Sequence, residues 1–163
     1  MDSIIKKKLI IEKLLSHLRC KFELSWANDT VHSSVYDNYF DGCCPRATGQ
    51  CFVTSWLVKE FLEYNLDVHD IVVCRGHLRD NQKVIIADHC WVEGYISCEK
   101  FIIDLTQDQS TSNRIYIRSE QEYKKEDLLY KQYAVYKTLM DIKPETIIRV
   151  NMLRERMERH LNA

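Results

Sequence analysis

From Ser3 to Leu18 the apolar positions recur at helical spacing, with Ile4, Ile5, Leu9, Ile10, Ile11, Leu14, Leu15 and Leu18 set among Lys6, Lys7, Lys8, Glu12 and Lys13. This pattern predicts an amphipathic N-terminal helix over residues 1–18, capped by Asp2 or Ser3, whose apolar stripe covers a core. Residues 19–48 lose the periodicity and hold Asn28-Asp29, Asp37-Asn38, Asp41-Gly42 and Pro45, which reads as a long loop. A second helical period runs from about Cys51 to Tyr64, with Val53, Trp56, Leu57, Phe61 and Leu62 on its inner face.

Beyond that helix the pattern changes to short apolar runs. Residues 70–75, 83–87, 88–96 and 101–106 read as strands, the first two joined by a polar turn from Gly76 to Gln82. Arg114 to Arg118 gives one more short strand. Two helices then follow, one over about Lys124 to Met140 and one starting near Pro144, a residue suited to a first helical turn. Ile147, Ile148, Met152 and Leu153 are expected to pack on the rest, and Arg154 to His160 to form a solvated face. The expected class is α+β: the Cys51 helix packed on a mainly antiparallel sheet of four or so strands, with N-terminal and C-terminal helices.

The last two strands of that sheet allow a register to be written. Setting His89 opposite Asp104 places Trp91 opposite Ile102, Glu93 opposite Lys100 and Tyr95 opposite Cys98, with the turn at Ile96-Ser97. Cys90, Val92, Phe101, Ile103 and Leu105 then share the other, apolar face. Ile-Ser is poor chemistry for a two-residue turn, so a register shifted by two is the alternative, with His89 and Asp104 as diagonal neighbours.

Composition narrows the class. A chain of 163 residues can bury a core without staples and is read as a single catalytic-type domain, with residues 1–18 its N-terminal helix, 45–110 its core and 120–163 its C-terminal helices. Its 23 basic and 24 acidic side chains nearly cancel, which gives no global field for nucleic acid or an anionic membrane. The start lacks a long apolar core and no run approaches a transmembrane span, so a cytoplasmic location without a signal peptide is expected. The seven cysteines are odd in number and show no disulfide-like spacing, which fits reduced thiols.

The candidate chemistry centres on Gly49-Gln50-Cys51, a thiol at the entry to an apolar helix, where helix N–H groups and the dipole favour a thiolate. His89 and Asp104, on two later strands, complete a Cys, His, Asp order that suits thiol acyl transfer. In that chemistry Cys51 attacks a carbonyl carbon, His89 holds and returns the proton, and Asp104 orients the imidazole. Trp91, on the face of His89, would shield the pair. The Cys51 N–H is the first oxyanion candidate, and Gln50, Trp26, Tyr36 and Tyr39 are further oxyanion or substrate candidates. A zinc site drawn from Cys43, Cys44, Cys51, His89, Cys90 and Cys98 lacks a C-x2-C pair and is not favoured. No P-loop or dinucleotide fingerprint is present, so neither a metal nor a cofactor is expected.

Cys51 on its helix, His89-Cys90-Trp91-Val92-Glu93-Gly94-Tyr95 and Ile103-Asp104-Leu105-Thr106 together resemble the transglutaminase-like branch of the papain-like cysteine enzymes. Within that branch, Gly49 to Thr54, the His-x-Trp strand and Asp104 to Gln109 are similar to the YunG-like bacterial proteins. The resemblance covers roughly residues 45–110. It implies a papain-like α+β core with a catalytic triad of Cys51, His89 and Asp104, and it adds Gln109 to the site candidates. It leaves the substrate open, since the superfamily holds peptidases, deamidases, acyltransferases and inactive members. The chain departs from papain-type proteases in having no Gln a few residues upstream of Cys51, and Ser110 stands where the YunG-like pattern has Phe. The reading is a thiol hydrolase or acyltransferase for an amide, deamidase or peptidase favoured, with a protein or peptide substrate. The competing readings are a non-catalytic protein-binding module of the same fold and a thiol redox or metal sensor. Nothing in the sequence fixes the oligomeric state.

Overall fold

The computed structural model describes residues 3–35, 45–66 and 68–161. Among them are four α-helices and one five-stranded antiparallel sheet: α1 (Ser3–Ser25), α2 (Cys51–Asn65), β1 (Val68–Asp80), β2 (Lys83–Ile96), β3 (Glu99–Asp104), β4 (Tyr116–Ser119), α3 (Glu120–Tyr123), β5 (Leu128–Tyr136) and α4 (Pro144–Leu161). The strand order is β4-β3-β2-β1-β5, which leaves β2 at the centre. Helices α1, α2 and α4 pack together, and α2 lies on β1 and β2. No helix among the described residues is long and apolar enough to cross a membrane.

Helix α1 runs about two turns beyond the predicted end at Leu18, because Phe22 and Trp26 continue the stripe of Ile11, Leu15 and Leu18 into the core. Its predicted apolar face is only half used: Ile5, Leu9, Ile10 and Leu14 are exposed. Helix α2 buries Val53, Trp56, Leu57 and Leu62 as predicted, whereas Phe61 is only partly buried.

The hairpin β1–β2 is longer than predicted. Residues 83–87 and 88–96 form one strand, and the turn contracts from Gly76–Gln82 to Asn81-Gln82, both with positive φ (45° and 71°), as a tight two-residue hairpin turn of primed type requires. Gly76 lies inside β1, where a Cβ would come within 2.1 Å of the Lys131 carbonyl oxygen of β5. It marks a close backbone approach.

The predicted helix over Lys124 to Met140 is not formed, so residues 120–163 are not all helical. Leu128–Tyr136 is an edge strand paired with β1, in which Leu128, Tyr130, Ala134 and Tyr136 are partly buried and the residues between them exposed. The predicted strand 114–118 is observed as β4, Tyr116–Ser119. Helix α4 starts at Pro144 as expected and buries Val150, Leu153 and Met157, while Ile148 and Met152 are exposed. Its charged end is tied to the rest of the molecule: Arg154 chelates Glu60 of α2 at 2.9 and 2.7 Å, and Arg156 pairs with Asp29.

The β2–β3 register is the one shifted by two. Val92 faces Ile103, Tyr95 faces Lys100 and Ile96 faces Glu99, because the turn falls at Ser97-Cys98, with Ser97 in the left-handed region (φ 58°). Continuing the register puts Asp104 across from Trp91 and diagonal to His89. The ion pair of Glu93 with Lys100 survives the shift as a diagonal contact. One sheet face, with Val73, Cys90, Val92, Phe101 and Ile103, joins the helices in the main core; the other buries Cys74, Trp91, Ile102 and Tyr116 under Tyr123 and Tyr130.

Candidate active site

Cys51 is the first residue of α2. The chain reaches it through a turn in which Gly49 takes φ 71°, and Gln50 precedes the helix without capping it by its side chain. First-turn N–H groups have no acceptor within a helix, so the end that carries Cys51 presents uncapped donors beside the sulfur. His32 N–H donates to the Gly49 carbonyl at 2.9 Å and ties the preceding loop to this turn. Cys51 is partly exposed; the residues behind it are buried.

His89 and Asp104 are fully buried and joined by a hydrogen bond of 2.5 Å between Nε2 and Oδ2. The other Asp104 oxygen accepts from Thr106, backbone N–H at 2.8 Å and hydroxyl at 3.1 Å, and Tyr130 donates its hydroxyl to Oδ2 at 2.9 Å. Four donors thus hold one carboxylate. Burial opposes its charge, but the His89 imidazolium and these hydrogen bonds outweigh burial and keep Asp104 below the ordinary carboxylate range.

His89 is subject to the same contest. Burial works against its protonated form, but the facing Asp104 carboxylate, with help from Cys51, raises it to about 10. The thiol of Cys51 is held well below its ordinary value, first by a hydrogen bond from the Cys90 thiol, against burial, and then by His89. Cys90 moves the opposite way, pushed up by burial and by the Cys51 charge beside it. The proton therefore belongs on His89 and the charge on Cys51. Arg149 of α4, partly buried, adds a guanidinium within electrostatic reach of both sulfurs.

With Nε2 of His89 on Asp104, Nδ1 remains for the thiol, and the Gln109 side-chain N–H reaches that same nitrogen at 3.0 Å. Gln109 Nε2 also donates to the Thr106 carbonyl at 3.0 Å, which fixes the orientation of the amide. The Trp91 and Tyr130 rings flank the imidazole, each with its centroid 6.3 Å away, and Trp91 gives its indole N–H to Glu93.

Two of the remaining candidates, Trp26 and Gln50, are committed to other partners. Trp26 is buried and spends its indole N–H on Thr54 at 2.9 Å, so it is a core residue that joins the end of α1 to α2. Gln50 is buried and donates to the Ala27 carbonyl at 3.2 Å, while its own carbonyl oxygen has no partner among the described residues. Tyr36, Tyr39, Cys43 and Cys44 lie outside the described residues. Among the described residues no cluster of three or more His, Cys, Asp or Glu is arranged to hold a metal ion; Cys98 is exposed in the β2–β3 turn.

Compared with known proteins, the chain matches no family model, no curated protein and no solved structure.

Three of its residues were not singled out from the sequence. Tyr130 belongs to the stretch read as a helix. Thr106 was seen only as the end of a motif, although an Asp-x-Thr run in which the hydroxyl and N–H turn back on the carboxylate is a local signal of an Asx-type turn. Arg19 is buried and holds the segment after Asp104 from behind: its guanidinium donates to the Leu105 and Arg114 carbonyls and pairs with Asp108 at 3.0 and 2.7 Å and with Glu23 at 2.9 Å. An arginine within an apolar helical stripe was the available signal.

Proposed function

We propose that the chain is a cysteine-nucleophile hydrolase or acyltransferase acting on an amide, in the manner of the papain-like and transglutaminase-like enzymes it resembles. The observation that carries this reading is the buried His89–Asp104 pair held against a thiol at the start of a helix.

The Cys51 thiolate adds to the amide carbonyl carbon, and the oxyanion so formed faces the uncapped N–H groups at the start of α2. As the tetrahedral adduct collapses, the C–N bond breaks and His89 gives its proton to the leaving amine. A thioester on Cys51 remains. His89, now neutral, takes a proton from water or from a second amine, which attacks the thioester and restores the Cys51 thiolate. Water as acceptor gives a peptidase or deamidase, and an amine gives a transamidase. Asp104, held by Thr106 and Tyr130, keeps Nε2 protonated and Nδ1 directed at the sulfur. A peptide amide or a glutamine or asparagine side chain is the substrate class, and hydrolysis is the favoured outcome.

An activated acyl donor tests this directly. Treatment with p-nitrophenyl acetate is expected to release one equivalent of nitrophenol in a burst and leave an acetyl group on the peptide containing Cys51. Cys51→Ala removes the burst, and His89→Ala slows it by roughly a hundredfold or more. Absence of acylation at Cys51 in the parent protein contradicts the reading and leaves a binding module of the same fold.

A further inference from the structure

Cys90 follows His89 in β2 and is not needed as nucleophile, base or orienting acid. Its side chain is buried on the core face of β2, under the start of α2, in the core cluster against which Cys51 packs, and the two thiols are near enough for each to shift the other's titration. The contact is anchored through the backbone as well: Ser55, one helical turn after Cys51, donates its hydroxyl to the Cys90 carbonyl at 3.1 Å. That bond ties the first turn of α2 to the strand segment carrying Cys90. The two residues also differ in exposure, since Cys51 is partly exposed and Cys90 is buried. A small oxidant meets Cys51 first and finds a second thiol already seated behind it.

We propose that Cys51 and Cys90 form a reversible intramolecular disulfide on exposure to peroxide, with Cys51 as the peroxidatic and Cys90 as the resolving thiol. The inference rests on the reading of Cys51 as a reactive thiolate. In the first step the Cys51 sulfur attacks one oxygen of hydrogen peroxide. The S–O bond forms, the O–O bond breaks, the second oxygen leaves as water with the proton held by His89, and the sulfur is oxidised by two electrons to the sulfenic acid. In the second step the Cys90 sulfur displaces the hydroxyl from Cys51. The S–S bond forms, the S–O bond breaks, and the Cys90 proton leaves with the hydroxyl as a second water. A dithiol reductant reverses the change by exchange. The disulfide removes the nucleophile from service and protects it from irreversible oxidation to the sulfinic acid. The other described thiols lie apart from this pair: Cys20 and Cys98 are exposed on α1 and the β2–β3 turn, and Cys74 points to the opposite sheet face.

The test uses the full chain treated with hydrogen peroxide, alkylated, digested without reduction and mapped by mass spectrometry. The expected product is a linked peptide pair joining Cys51 to Cys90, two hydrogens lighter than the separate peptides, with iodoacetamide reactivity at Cys51 restored by dithiothreitol. In Cys90→Ala, Cys51 is expected to give a dimedone-trappable sulfenic acid that passes to the sulfinic acid severalfold faster than in the parent and is not recovered by dithiothreitol. A parent protein that alkylates rapidly at Cys51 but gives no Cys51–Cys90 link overturns the inference and leaves the enzyme reading intact. Equal sulfinic acid formation in parent and Cys90→Ala also overturns it. A Cys51 inert to both peroxide and iodoacetamide overturns the enzyme reading, and the inference with it. The parent's linked peptide decides the matter even if Cys90→Ala does not fold.

Discussion

Nδ1 of His89 is wanted by two partners. The Gln109 N–H donates to it at 3.0 Å and needs a lone pair there, whereas the ion pair with Cys51 puts a proton on the same nitrogen. The amide cannot turn its oxygen toward Nδ1 without losing its bond to the Thr106 carbonyl. Gln109 therefore weighs against the proton on His89 without displacing it, so the ion pair forms at a higher pH than it would with Nδ1 free of the amide. In Gln109→Ala that restraint is gone. A neutral hydrogen bond of about 1 kcal/mol sets the scale, so the ultraviolet absorbance of the Cys51 thiolate is expected to titrate lower by up to about one pH unit; a shift to higher pH contradicts this role. Cys51, His89 and Asp104 can be picked out of the sequence by residue type and order, and the structure joins two of them, His89 and Asp104. The use of Gln109 was not legible there, because it depends on which way one amide faces after a short 3-10 turn from Gln107 to Gln109.

Single elements were legible where a continuous apolar run is bounded by polar residues and becomes buried. Helix α2 and the hairpin of β2 and β3 follow their apolar patterns closely. Strand β5 does not, since it lies at a sheet edge with modest burial on either face, and Tyr130, Tyr133 and Tyr136 fall at a spacing that mimics a helix. What fixes it as a strand is remote: Gly76 lets its backbone approach β1, and the Tyr130 hydroxyl closes on Asp104 and receives the Gln107 amide at 2.7 Å. The β2–β3 register shows the same limit. Glu93 with Lys100 fits either register, and the left-handed turn at Ser97 selects the one observed. Helix α1 contributes to the site through Arg19, which joins it to the segment that follows Asp104. Arg19→Met removes one partner of a buried ion pair and leaves Asp108 and the Leu105 and Arg114 carbonyls unpaired. The expected loss of unfolding free energy by denaturant titration is about 3 kcal/mol. A loss below about 1 kcal/mol would mean that Arg19 does not anchor the loop.

At the scale of the whole molecule, β2 is the central strand, and its two faces serve different ends. Cys90 and Val92 join the helices in the main core, while His89 and Trp91 meet the aromatic cluster roofed by Tyr123 and Tyr130. Cys51 comes to this strand from the helical layer, so the nucleophile and its base arrive from separate layers. The α+β layering was legible from the alternation of helical and strand periods; which residues meet between layers was not. The ion pair that results has a defined pH window. Below the depressed titration of Cys51 the sulfur is a thiol, and above about 10 His89 has lost the proton that the leaving amine needs, so acyl transfer is confined between the two as properties of the coupled pair. The most direct measurement of the central claim is the iodoacetamide alkylation rate of Cys51 against pH, resolved by peptide mass spectrometry, in the parent and in His89→Ala. The account predicts an onset well below that of a free thiol, about pH 8.5, and a move to higher pH in His89→Ala. A Cys51 that titrates as an ordinary thiol, or whose profile is the same in both proteins, contradicts it.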